Sequence, residues 1–157
     1  MPDDLWRNDT YTWSLQQADR LRRLRAGERV NDLDWDNVIE EIESVGRSQL
    51  DAVWSLLVQA VLHVMKRHAW PEDHRNLGKW RNEAVEFLAQ AQDGYRPSMA
   101  QGLDLEAAAR RATSRLRGLR YDTPPQTLPP MAPIPLDALA NPDFTIEALD
   151  AALFPTA

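Results

Sequence analysis

The stretch from Asp34 to Pro71 most constrains what this chain can fold into. It reads DWDNVIEEIESVGRSQLDAVWSLLVQAVLHVMKRHAWP. Its apolar positions are Val38, Ile39, Ile42, Val45, Leu50, Val53, Leu56, Leu57, Ala60, Val61, Val64 and Met65. Steps of three and four residues lay these along one broad face of an α-helix. Asp34 or Asp36 can cap the first amides, and Lys66, Arg67 and His68 place positive charge where the helix dipole favours it. Pro71 cannot continue the helix and turns Trp70 out of helical geometry. Unbroken, such a helix is about 50 Å long at about 1.5 Å per residue. Gly46 is its weakest point, since an interior glycine costs about 1 kcal/mol relative to alanine. A kink or break is expected there.

Shorter helices are expected on either side. Asp9 or Thr10 caps a helix over residues 11–26, with Tyr11, Leu15, Ala18, Leu21 and Leu24 on its apolar face and Trp13 beside that face. Gly27 is its natural terminator. Leu33 and Trp35 are expected to close the following turn over the core. Leu5 and Trp6 can pin the lead-in before residue 10. Further helices are expected over 77–92, carrying Trp80, Ala84, Phe87, Leu88 and Ala91 inward, and over 105–119, capped by Asp104. The fold class is therefore all-α, a bundle of about four main helices.

Composition changes at Tyr121. Eight of the 11 prolines lie from there on, too dense for regular structure up to about residue 135. Yet Leu128, Met131, Ile134, Leu139, Phe144, Ile146, Leu149, Leu153 and Phe154 are too apolar for a solvated tail. The expected organisation is a bundle domain over 1–120 and a proline-rich strap over 121–157, packed on it, with one-turn helices near 136–140 and 146–153.

With no cysteine there are no disulfides, no thiolate metal site and no cysteine nucleophile. The polar first ten residues do not read as an export signal, and a cytoplasmic setting is expected. No segment is apolar enough to cross a membrane. The net charge of −6 is uneven: residues 1–44 hold 11 acidic and 6 basic side chains, and residues 121–157 hold 5 acidic and no Lys or Arg. An acidic chain repels nucleic acid at long range, so that class of partner is not expected.

The motifs together resemble the bacterial domain of unknown function family 29. Tyr11-Thr12-Trp13 matches its N-terminal Tyr-x-Trp. The run from Asn37 to Arg47, NVIEEIESVGR, matches its acidic element closely. His63-Val64-Met65-Lys66 and Pro71-Glu72 match two later elements, and Lys79-Trp80-Arg81 a last one. Arg67 stands where that pattern has tryptophan, and Trp80 comes about two residues late. The resemblance implies a helical fold and no particular activity.

Two clusters could carry chemistry. Glu40 and Glu43 share a helix face, and paired carboxylates in a bundle can hold a hard cation. With His63 and Glu86 they form a candidate metal set for hydrolysis of a nucleotide or phosphoester. The plainer reading is a solvated acidic face with Glu43 paired to Arg47. For His63 the plainer reading is a core histidine satisfied by a glutamate, Glu40 or Glu43. In the second cluster Lys66, Arg67, Trp70, Arg75, Lys79, Trp80 and Arg81 interleave bases with aromatics, a pattern that can hold phosphate or single-stranded nucleic acid by charge and stacking. Its plainer reading is a basic helix end with two buried tryptophans. No nucleophile motif and no glycine-rich phosphate loop is present. The function expected is therefore a non-enzymatic helical interaction module without a cofactor, binding another protein or a second copy of itself.

Overall fold

The chain's structure, a computed structural model, describes residues 2–156, and among them there is no strand. The elements run α1 (Pro2–Asn8), α2 (Thr10–Arg25), α3 (Trp35–Ala69), α4 (Leu77–Gly94), α5 (Leu105–Gly118), α6 (Asp137–Ala140) and α7 (Ile146–Leu153), with a 3₁₀ turn at Pro97–Met99. The caps are chemical. Asp9 accepts from the Thr12 amide at 3.0 Å, Asp104 from the Ala107 amide at 2.8 Å, and Thr145 from the Ala148 amide at 3.2 Å. Gly27 ends the α2 region at φ 87°, a conformation that costs glycine nothing.

The lead-in is the short helix α1, and Trp6 pins it by an Nε1–H donated to Glu41 at 2.8 Å. No break occurs at Gly46. Helix α3 runs 35 residues without interruption, and Gly46 is solvent-exposed with no neighbouring group close to its Cα. A cost of about 1 kcal/mol is too small to open a helix that is hydrogen-bonded on both sides. Arg47 also reaches back across the glycine to Glu40 and, at 3.5 Å, to Glu43.

The chain forms two compact units that divide inside α3, between Arg47 and Ser48. The segment 121–157 belongs to the second unit, together with residues 48–120.

In the first unit the buried side chains are few: Trp13, Gln17, Leu33 and Val38. Polar contacts choose the inward face of α2. The Trp13 Nε1–H donates to Asp34 at 2.9 Å, and the Gln17 side-chain oxygen accepts from the Asp34 amide at 2.9 Å. With Trp13 and Gln17 turned in, Tyr11, Leu15, Leu21 and Leu24 are left exposed, the reverse of the face expected from apolar spacing. The hydrogen bonds from Asn37 and Trp13 hold the Asp34 carboxyl below the usual aspartate range.

The second unit holds a continuous core. Val53, Leu57, Val58, Ala60, Val61, Val64 and Met65 of α3 are almost wholly buried. Ala84, Leu88 and Ala91 of α4 and Ala108 and Ala112 of α5 pack into the same cluster. Ile134, Leu139, Ile146, Leu149 and Leu153 complete it. The proline-rich stretch is fastened by its backbone: Gln126 N–H donates to Ala69 O at 2.7 Å, Ala132 N–H to Leu153 O at 2.8 Å. The Gln92 amide gathers the carbonyls of Ala138, Asn141 and Phe144 at 2.7–3.0 Å. A smaller cluster of Ala69, Trp70 and Trp80 closes the α3–α4 corner.

Candidate functional site

The basic–aromatic segment falls at that corner, and its aromatics are spent on packing. Trp70 and Trp80 are 2% and 3% exposed, and Tyr121 meets both edge-on at ring distances of 4.7 and 5.2 Å. The Trp70 Nε1–H donates to Thr123 O at 2.8 Å. A stacking platform needs open indole faces, and these are covered. Burial raises the Tyr121 phenol above its ordinary pKa. Most of the bases have carboxylate partners. Arg67 and His68 share Asp150 of α7, Arg81 donates to Glu147 at 2.7 Å, and Lys79 lies 3.9 Å from Glu83. Arg75 sits exposed in the turn before α4. The acids of α7 thus neutralise the end of α3, in line with the plainer reading of these residues.

His63 is 6% exposed on α3. Its Nδ1–H donates to the Gln59 carbonyl at 2.8 Å. Its Nε2 lies 2.9 Å from a Glu83 oxygen and 3.2 Å from Lys66 Nζ. A glutamate does satisfy this histidine, but it is Glu83 of α4 and neither Glu40 nor Glu43. Burial, with help from Lys66, lowers the imidazole pKa, while Glu83 and the Gln59 carbonyl work against that shift. Burial also holds the Lys66 ammonium below its ordinary value. This triad is a packed polar contact between α3 and α4.

The four residues of the candidate metal set do not come together as a ligand cluster. Glu40 and Glu43 belong to the first unit and pair with Arg47, whereas His63 and Glu86 belong to the second, Glu86 on an exposed position of α4. Among the described residues no three His, Cys, Asp or Glu side chains gather as a metal ion requires.

The first unit presents the feature that stands out. Trp35, Ile39, Ile42 and Val45 of α3 are 54%, 50%, 68% and 61% exposed. Trp35, Ile39 and Ile42 follow one another at steps of four and three, the spacing of a coiled-coil seam. Asp36, Glu40, Glu43 and Arg47 flank them. On α2, Tyr11 is 75% and Leu15 53% exposed. Sequence reasoning placed these side chains in the core.

Over residues 5–145 the chain matches the family model described as domain of unknown function DUF29. The chain belongs to the DUF29 family. A solved α-helical protein of unknown function from Rhodospirillum rubrum is 33% identical to this DUF29 chain, with a TM-score of 0.68. The likeness covers 96% of this chain and 98% of that one. No curated protein matches the chain. The family and the solved relative agree with an uncharacterised all-helical protein. No helix among the described residues is long and apolar enough to cross a membrane.

Proposed function

We propose that this DUF29 chain is a non-enzymatic interaction module that works through the exposed apolar row of α3 in its first unit. The observation that carries this reading is the exposed row Trp35, Ile39, Ile42 and Val45 of α3. Large apolar side chains grouped on a surface mark association sites, whereas scattered ones need no explanation. The occupant we favour is a second copy of the chain. Trp35, Ile39, Ile42 and Val45 of α3 are 50–68% exposed, and the same row on a second copy makes the contact self-complementary. An antiparallel pairing centred near Ile42 sets Asp36 of one copy opposite Arg47 of the other, and Gly46 lets the two helices approach closely. With no cysteine to oxidise, a cytoplasmic setting is part of the proposal.

Sedimentation equilibrium tests it. The wild-type chain is expected at twice its 17.9 kDa mass, and Ile42→Glu at the single-chain mass with unchanged helical circular dichroism. A wild-type monomer at high micromolar concentration overturns self-pairing and leaves a different helical protein as the occupant. The interaction reading itself falls if the wild-type monomer also retains no partner that Ile42→Glu fails to retain.

A further inference from the structure

In the second unit, the stretch between Gln126 and Ala132 arches over a hollow of about 460 Å³. Its two ends are fixed to Ala69 and Leu153, while residues 127–131 make no backbone–backbone hydrogen bond. Two of them, Pro129 and Pro130, have no N–H to give. The floor and walls are apolar: Met65 of α3, Leu116 of α5, Leu128 and Met131 of the arch, and Phe154. The volume is within the range of small-molecule sites, roughly 300–1,000 Å³.

The charge of the lining is what selects a ligand. Arg117 is the single ionisable residue in it. It is exposed, and no carboxylate of the described residues pairs with it. Residues 105–120, which carry it, hold five arginines against one glutamate in a chain of net charge −6. Of the neutral polar side chains in the lining, Thr113 donates its hydroxyl to Ala109 O at 2.9 Å, while Gln126 and Thr127 at the rim can add a hydrogen bond to a polar head. An apolar cavity with one unpaired guanidinium fits a molecule with an apolar chain and a single anionic head, since Arg binds a carboxylate through a two-pronged, charge-assisted contact.

We propose that this hollow binds a medium-chain carboxylate, with the chain under the 127–131 arch and the head on Arg117. The site lies wholly in the second unit and does not depend on self-pairing. Calorimetric titration of the full chain with decanoate, decanol and decyltrimethylammonium tests it. Decanoate is expected to bind one per chain, at least about tenfold more tightly than decanol, and the cationic amphiphile more weakly still. Arg117→Gln, a surface change that leaves the fold alone, is expected to remove the preference for decanoate. Arg111→Gln, on the same helix but outside the lining, is expected to leave it. Decanoate binding no better than decanol overturns the proposal. So does an equal loss in both arginine variants, which means diffuse attraction to α5. So does binding that Ile42→Glu abolishes, which places the ligand on the first unit.

Discussion

The two halves of α3 carry side chains of much the same kind and meet opposite fates. From Val53 to Met65 nearly every apolar residue is sealed, with Leu57, Val58, Val61 and Val64 fully inaccessible. From Trp35 to Val45 the large apolar residues other than Val38 stay half open or more. One helix, one rhythm and two environments teach that apolar periodicity states what a residue could bury, while the supply of partner surface decides whether it does. The second unit has α4, α5, α7 and the proline-rich stretch to wrap its half. The first has two short helices, and small units bury a smaller fraction of their surface.

Four substitutions break or sharpen this contrast. The largest effect is expected from Leu57→Ala, which empties a fully buried site and should lower unfolding free energy by about 2–5 kcal/mol. The matching Ile42→Ala change should stay within about 0.5 kcal/mol at dilute concentration, where self-pairing contributes nothing. Urea midpoints of the two variants check both. Equal losses would mean that the first half of α3 is as buried as the second.

The next effect belongs to His63. Its folded pKa lies below the unfolded value, so the unfolded chain takes up the proton first. The contribution is intact above the ordinary imidazole value of about 6.5 and is lost as pH falls through it towards the folded pKa. The urea midpoint should therefore fall between neutrality and about pH 5, and His63→Gln should flatten that slope. A slope unchanged in the variant would assign it to other groups.

The last effect is a small gain. Gly46 is helical, exposed and without a close neighbour in the single chain, so at dilute concentration, where self-pairing contributes nothing, Gly46→Ala should stabilise it by about 0.5–1 kcal/mol. A loss instead would show that something touches that position, as a second copy packed on the seam does.

Helix positions were legible because their signals are local. Asp9, Gly27, Asp104 and Pro71 mark boundaries through groups a few residues away, and the helices begin and end close to where those residues place them. The inward face of α2 was not legible. It depends on Trp13 and Gln17 both finding Asp34, 21 and 17 residues along the chain, and no periodicity encodes that bond. The His63 partner was half legible. A buried imidazole demands a carboxylate or a carbonyl, but choosing Glu83 over Glu40 requires knowing which helix lies alongside. Arg47 was legible as the partner of Glu43 because four residues on one helix are neighbours in any fold.

The proline-rich stretch also bears on the order in which the protein is made. Ile146, Leu149, Leu153 and Phe154 sit in the same core as Leu57 and Val61. A ribosome releases the chain from its beginning at about 5–20 residues per second. The apolar half of α3 therefore emerges long before the residues that seal it, and it stays partly open until nearly the last turn of α7 is out. Between the emergence of α3 and that of α7 this surface is only partly covered, and a chaperone then has most to hold.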